Sequence, residues 1–155
     1  MVNGKPGVFF QPRRGIRLGD SLSPYLFVLA MQMLSGKIEE AIANGRFRGL
    51  KVSRNAPQVS KLFYADDVTF FGRAIHNEVG VLAYSLHWFT KASDQMISVH
   101  KSHLCFSPKT PDEVVGAIKQ LLRINKDATI GKFLGLYPDP RDNVCLLYTS
   151  DAADE

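Results

Sequence analysis

Two adjacent carboxylates, Asp66 and Asp67, lie between two apolar runs that are rich in β-forming residues, at 59–63 and 68–71. This pattern predicts a β-hairpin with the acids at its turn. Hairpin turns usually hold Gly, Asn or Ser, and two like charges repel each other there unless a cation is bound. Mg²⁺ takes oxygen ligands, few of them protein carboxylates, and leaves room for substrate phosphates. The pair alone fits a metal site for phosphoryl transfer and an ordinary acidic turn equally well.

A basic, glycine-containing loop at residues 14–20 is the second stretch that could do chemistry. Ser23 as N-cap and the proline after it as first helical residue predict a helix over 24–44. Backbone N–H groups at a helix N-terminus, with Arg14 and Arg17 nearby, suit a phosphate or a nucleic-acid backbone. Taken alone, the loop is better explained as a solvated basic segment before a capped helix.

The elements that must position these residues alternate between helical and strand periodicity, which predicts one α+β unit. Helices are predicted over 24–44, 77–92 and 111–123, with Asn77 capping the second and Gly45 ending the first in a left-handed conformation. Strands are predicted at 47–52, 59–63, 68–71, 96–99, 104–106 and 133–136. The core face of the first helix is predicted to carry Leu22, Leu26, Leu29, Met33 and Ile38.

The composition is that of an ordinary globular domain. The chain has 155 residues, of which 45% are hydrophobic and 22% charged, and a net charge of +4. These values exclude a disordered tail, a collagen-like fibre and a disulfide scaffold. No apolar run approaches the roughly 20 residues that span a bilayer, and no secretory signal is visible. Two cysteines form no disulfide framework, so a reducing intracellular compartment and no membrane partner are expected, with nucleus and cytoplasm both left open for a longer parent.

The last eleven residues, 145–155, resemble the in-frame translation of an adapter used in sequencing libraries. We therefore predict a native unit over 1–144 and a non-native tail over 145–155, which is excluded from the fold prediction. The tail contains three acids and no Lys or Arg, so the remaining chain carries +7. On this interpretation, Met1 is an internal methionine of a longer parent.

Four ordered segments together resemble the reverse transcriptase palm of non-LTR (LINE-type) retrotransposons of plants. That family has a loop of the form Arg-Gly-Ile/Leu-Arg-Gln-Gly-Asp-Pro-Leu-Ser-Pro, then Tyr-Ala-Asp-Asp on a hairpin. Residues 14–24 and 64–67 match these in the same order. Residues 88–102 resemble the family's Ser-Gly-Gln-x-Ile-Asn and Lys-Ser segment, and 132–136 its Tyr-Leu-Gly-Leu/Val primer grip. The resemblance covers nearly all of 1–144 and implies a partial palm, with helices on one face of an antiparallel sheet.

The resemblance also implies roles for individual residues. Asp66 and Asp67 would be catalytic metal ligands, and Lys101, with Lys91 as a rival, would protonate the leaving pyrophosphate. Nucleotide and template would contact a set drawn from the loop and the hairpin: Arg14, Gly15, Arg17, Gly19, Asp20, Tyr64 and Ala65. The primer grip would comprise Phe133, Leu134 and Gly135.

The implied reaction is RNA-directed DNA synthesis by a retroelement polymerase. The cofactor would be two Mg²⁺ ions, with Mn²⁺ as a substitute. The partners would be an RNA template, a DNA primer, deoxynucleoside triphosphates and the remainder of the parent polyprotein. Group II intron maturases share Tyr-Ala-Asp-Asp, but their preceding loop has a Pro-Gln-Gly-Gly form, unlike residues 17–20.

Several features separate the chain from a complete polymerase. Leu18 replaces a Gln of the family loop, Asp94 replaces a Gly, Ser98 an Asn, and Tyr137 a Pro. The family's first metal-binding Asp lies upstream of the loop, and the fingers and thumb are also missing. We therefore expect this polypeptide to be inactive. The alternative to an enzyme domain is a non-catalytic pseudogene remnant that binds nucleic acid weakly.

Two further signals have simpler explanations. His100, His103 and Cys105 have a compact spacing, but a fourth zinc ligand is not obvious, and a buried strand accounts for Cys105. Residues 46–51 alternate basic side chains with Phe47. That pattern fits a nucleic-acid contact, but a solvated edge strand is the simpler prediction.

Overall fold

The structure is a computed structural model that describes residues 19–51, 53, 55–65, 67–127 and 144–149, the last group as backbone only. Its helices are α1 (Ser23–Ala43), α2 (His76–Ser93) and α3 (Asp112–Leu122). Its strands are β1 (Leu50–Lys51), β2 (Gln58–Val59), β3 (Lys61–Tyr64), β4 (Asp67–Arg73), β5 (His103–Phe106) and β6 (Val144–Thr149). Within these residues, no helix is long and apolar enough to cross a membrane.

The main sheet has four strands in the order β3-β4-β6-β5, and all its neighbours are antiparallel. Strand β6 lies between β4 and β5, so those two strands run in the same direction. Strands β1 and β2 form a separate two-stranded ribbon. The α+β class and the palm-like combination of antiparallel strands and helices agree with the prediction.

The three helices contribute to one core with the face of the sheet that carries Phe70 and Leu104. Strand alternation puts Val68 on that same face, and its side chain is also buried. Helix α2 supplies Val79, Leu82, Leu86 and Phe89, which follow the helical period as predicted. Burial of these side chains orders β4, the strand that begins with Asp67.

The predicted core face of α1 is wrong except at Ile38. The buried residues are Met31, Leu34, Ile38 and Ala41, whereas Leu22, Leu26, Leu29 and Met33 are exposed. The first half of this helix is apolar on nearly every side, so two different faces fit the helical spacing of apolar residues and either could be the buried one. Packing against α2 selects the stripe that begins at Met31.

Both predicted helix caps are also wrong. Helix α1 begins at Ser23 itself, with Leu22 as N-cap, and Asn77 lies inside α2. Neither helix has a side-chain cap, so the flanking turns fix the ends. The left-handed Gly45 is confirmed at φ +66°. Residues 96–98 form no strand, and the predicted strand at 133–136 lies outside the described residues.

A buried carboxylate ties the far end of β4 to α2. Glu78, in the first turn of α2, is 6% exposed and accepts hydrogen bonds from the guanidinium of Arg73, with Nε at 2.9 Å. It also accepts from the backbone N–H of Arg48 at 3.2 Å. One side chain therefore links β4, α2 and the segment that leads into β1.

We expect Glu78→Ala to lower the free energy of unfolding by about 2 to 4 kcal/mol, because it leaves Arg73 and a backbone donor without their acceptor. Urea denaturation followed by circular dichroism measures the change. The control is Glu39→Ala, which removes an exposed partner of Lys61 and should cost much less. Equal losses in the two variants would contradict the anchoring role of Glu78.

Candidate functional site

The predicted hairpin is confirmed, and Asp67 begins its second strand. Tyr64 pairs with Asp67 across β3 and β4, so only residues 65 and 66 connect the two strands. Phe63 and Phe70 pack edge to face beneath this turn, with ring centroids 6.3 Å apart. This ring contact stabilises the base of the hairpin.

The residues on the two sides of the hairpin turn differ in their exposure to solvent. The Tyr64 ring is 67% exposed, and Ala65 is exposed beside it. Asp67 is half-buried where β4 begins. Asp66 lies outside the described residues, so of the predicted pair the structure places only Asp67. Asp66 precedes Asp67 directly in the chain, so the predicted pair spans the end of the connection and the first residue of β4.

The backbone at the turn is strained. Ala65 has φ +50°, in the left-handed region that L-residues with a Cβ rarely occupy. A single such residue costs on the order of 1–2 kcal/mol. The two-residue connection requires this conformation, because turns that match the strand twist have a positive φ at the first central residue.

The N-terminus of α1 lies next to the hairpin. An apolar groove of about 370 Å³ is lined from α1 by Pro24, Phe27, Val28, Met31, Gln32 and Ser35, and from the hairpin by Phe63 and Ala65. The first turns of α1 therefore lie beside the hairpin at Phe63 and Ala65.

Two predicted loop residues are described at this helix start. Gly19 has φ +83°, which favours glycine, and Asp20 accepts a hydrogen bond from the Leu22 N–H through Oδ1 at 3.0 Å. Asp20 therefore organises the turn before α1. Arg14, Gly15 and Arg17 lie outside the described residues.

The strand register places Lys101 at the same end of the sheet as the hairpin. Thr69 pairs with Tyr148, and Tyr148 pairs with His103, so the start of β5 is level with the start of β4. Lys101 precedes β5 in an exposed turn, where its N–H donates to Ser98 O at 3.1 Å. Two strand spacings, about 10 Å, separate β4 from β5. A side chain as long as lysine can reach across part of that distance.

Ion pairs hold the hairpin and helices in place. Lys61, where β3 begins, contacts Glu39 of α1 at 2.9 Å, and this hydrogen bond lowers the pKa of the Glu39 carboxyl. Lys37 hydrogen-bonds Glu40 at 2.8 Å and lowers its pKa in the same way. The Lys37 ammonium also lies 5.6 Å from the Trp88 ring centroid, which links α1 to α2.

The remaining predicted sites are placed only in part. Phe133, Leu134 and Gly135 lie outside the described residues. In the part of the chain that is described, no group of three His, Cys, Asp or Glu side chains is arranged to hold a metal ion. Phe47 is buried in the core and lies outside a strand, so both interpretations of this residue, a nucleic-acid contact and a solvated edge strand, are wrong.

The sequence prediction missed the groove beside the hairpin. Phe27, Met31 and Phe63 line it, and the neighbouring Tyr25 ring is 74% exposed. The available signal was the run of apolar residues from Tyr25 onward, which is longer than one buried stripe needs. The core of the domain covers only one side of α1.

We expect Ala65→Gly to raise the free energy of unfolding by about 0.5–1 kcal/mol, because glycine adopts a positive φ without steric cost. Ala65→Val should lower it by 1 kcal/mol or more, since β-branched residues are disfavoured there. Urea denaturation of the three proteins tests this order. Equal stabilities would mean that the turn is not held in the left-handed region.

Comparison with known proteins identifies the family. The model of the reverse transcriptase (RNA-dependent DNA polymerase) family matches residues 1–137. The chain is also similar to an uncharacterized mitochondrial protein of Arabidopsis thaliana, with 45% identity over 69 residues, which are 44% of this chain and 57% of that protein. The match thus spans little more than half of that relative's length. No solved structure matches the chain. Because the family model covers most of the sequence, the chain belongs to the reverse transcriptase family.

Proposed function

We propose that residues 1–144 are the partial palm of a LINE-type retroelement polymerase and that 145–155 are not native to it. In the intact parent, a primer 3′-OH attacks a deoxynucleoside triphosphate, directed by an RNA template. The proposal is supported most by the Asp66-Asp67 pair at a two-residue turn beside the N-terminus of α1. Few ordinary turns place two adjacent carboxylates at a strained connection.

The donor set at the turn fits Mg²⁺. Carboxylate oxygens are the ligands that hard divalent ions prefer, and one or two of them leave coordination positions for substrate phosphates. Bound at Asp66 and Asp67, two such ions would stabilise the attacking and leaving oxygens of the transfer, and Mn²⁺ could substitute for Mg²⁺. The residues around the turn would hold the two carboxylates close together despite their mutual electrostatic repulsion.

The other residues are proposed to position substrate. Arg14 and Arg17 would face phosphates, while Gly15, Gly19 and Asp20 shape the loop before α1. Tyr64 and Ala65 are exposed at the turn, where a primer terminus would contact them. Lys101 would donate the proton to pyrophosphate, which is supported by its position at the hairpin end of the sheet. Phe133, Leu134 and Gly135 would form the primer grip.

We also propose that this polypeptide alone does not polymerise. The acidic pair supplies carboxylates from a single turn, and a productive two-metal geometry needs ligands fixed from more than one element. The first metal-binding Asp of the family would come from the remainder of the parent polyprotein.

A non-catalytic remnant is the second candidate, and Asp94 is the observation that favours it. This residue replaces a family glycine and has φ +56° where α2 ends, a position that suits glycine. A change that costs stability without serving a described site is typical of relaxed selection. Such a remnant would bind nucleic acid weakly through its basic surface.

We expect wild-type protein to bind Mn²⁺ at about millimolar affinity through the acidic turn. In ¹H–¹⁵N spectra, Mn²⁺ should broaden the amide signals of residues 63–69 first, because paramagnetic broadening falls steeply with distance. Asp66→Asn and Asp67→Asn should each weaken this effect, whereas Asp112→Asn, an exposed acid at the start of α3, should not.

Broadening that is centred elsewhere, or that survives both substitutions, would contradict the metal site.

A longer product of the source gene separates the two candidate functions. If the parent is an enzyme, Asp66→Asn should reduce its primer extension by about a hundredfold or more. A remnant would show no extension in either form.

We expect Asp94→Gly to raise the free energy of unfolding by about 0.5–1 kcal/mol, because it relieves the left-handed residue at the end of α2. Urea denaturation measures the change. The control is Asp112→Gly in α3, where glycine should be destabilising. If Asp94→Gly destabilises the chain, the substitution by Asp has been accommodated structurally, and this argument for a remnant fails.

A further inference from the structure

A polar cleft of about 610 Å³ opens between the second half of α1 and the first half of α2. Its size is within the range of pockets that bind small ligands. Ala41 of α1 and Gly80 and Ser85 of α2 line it with small groups, and both Ala41 and Ser85 are buried. These small groups leave the space between the two helices open. We call it the α1–α2 cleft.

The α1–α2 cleft is separate from the hairpin. At about 100° per residue, positions 37, 40 and 41 of α1, which line the cleft, lie on the opposite face of the helix from the positions that line the groove beside Ala65. The middle of one set is about ten residues, or about 15 Å, further along the helix than the middle of the other. A ligand in the cleft therefore occupies a site of its own.

The charges at the cleft have a positive balance. Lys37 donates a hydrogen bond to Glu40 Oε2 at 2.8 Å, which lowers the pKa of that carboxyl and offsets its charge. The guanidinium of Arg46 lies 3.7 Å from Glu40 Oε1, beyond hydrogen-bond distance, and the Arg46 side chain is 55% exposed. Two cations thus face one acid, and the planar donors of Arg46 are accessible to an anionic group such as a phosphate.

An aromatic ring accompanies these charges. Tyr84 lines the cleft from α2 and is 60% exposed. Rings on which bases stack, together with cations that contact the phosphate backbone, are the usual components of a site for single-stranded nucleic acid. An acidic peptide would use the cations but would gain much less from the ring. The combination of Arg46 and Tyr84 therefore favours a nucleic acid as the ligand.

We propose that the α1–α2 cleft binds one or two nucleotides of a single-stranded nucleic acid, with a base stacked on Tyr84 and a phosphate held by Arg46. Lys37 keeps the Glu40 carboxylate paired, so that it repels the phosphate less. This site goes beyond the proposed function, because it lies away from the hairpin and requires no metal ion.

The test uses the full chain and hexauridylate as the probe, in metal-free buffer of low ionic strength. In ¹H–¹⁵N spectra, the largest changes in chemical shift should occur at the amides of 37–46 and 76–85, while those of 63–67 should stay in place. Fluorescence anisotropy of labelled hexauridylate gives the affinity of each variant.

Two variants remove the groups that are proposed to contact the ligand. Tyr84→Ala should weaken binding at least fivefold, whereas Tyr25→Ala, which removes an exposed ring outside the cleft, should not. Arg46→Gln should weaken binding and reduce the slope of log affinity against log salt by about 0.7, the value for one phosphate contact with a single strand. Lys109→Gln removes the same charge from an exposed turn and should leave the slope unchanged.

A third variant fills the cleft without removing a group. A Cβ added at Gly80 would meet no atom within 4 Å, so Gly80→Gln should fold and place its side chain in the cleft. Binding should weaken at least fivefold. The control is Gly116→Gln on α3, where the space for a Cβ is equally open. Both variants should be at least as stable as wild type, because Gln favours a helix more than Gly does.

Four results would overturn the proposal. Shift changes centred on the hairpin, or unimpaired binding by Gly80→Gln, would place the ligand elsewhere. Equal affinities of Tyr84→Ala and Tyr25→Ala would mean that no base stacks in the cleft. Hexaglutamate that binds as tightly as hexauridylate would identify a site for acidic peptides instead. None of these readouts depends on Mn²⁺ binding or primer extension, so failure of the proposed function would be seen separately.

Discussion

The hairpin depends on the burial of one strand, β4. Val68 and Phe70 lie in the core that the three helices share, and Glu78 holds the opposite end of the strand through Arg73. A strand fixed over its whole length can hold a charged residue at its first position without fraying. The electrostatic repulsion between two neighbouring carboxylates is then offset by the burial of core side chains that do not contact the turn. The geometry of the turn is in this sense a property of the core.

Left-handed residues with a side chain occur at three places in the part of the chain that is described, Ala65, Asp94 and Arg123. Ala65 is forced into this conformation by a two-residue connection between β3 and β4. Asp94 and Arg123 are the C-caps of α2 and α3, where a left-handed residue is a common way for a helix to end. The positive φ of Ala65 is therefore a consequence of the tight hairpin, whereas the other two belong to helix termination.

The hairpin, α2, α3 and β5 could be predicted because each is specified locally. Alternating apolar residues on either side of a short acidic link leave one register for β3 and β4, and helix α2 has a single apolar stripe. The buried face of α1 could not be predicted, because its first half is apolar all round and only packing against α2 chooses between two stripes. The groove that joins Phe27 to Ala65 was missed for the same reason, since it consists of the apolar surface that the core leaves uncovered.

The position of β6 could not be predicted either, because residues 145–155 were excluded from the fold prediction as a non-native tail. In the structure, residues 144–149 pair with β4 over 68–73 and with β5 over 103–106. This segment is uncharged and contains several β-forming residues, so its composition suits a strand with a neighbour on each side. Strand pairing depends on the backbone groups that the two neighbouring edges offer as much as on the segment itself. A pattern read along the segment alone therefore has no access to the partner that orders it.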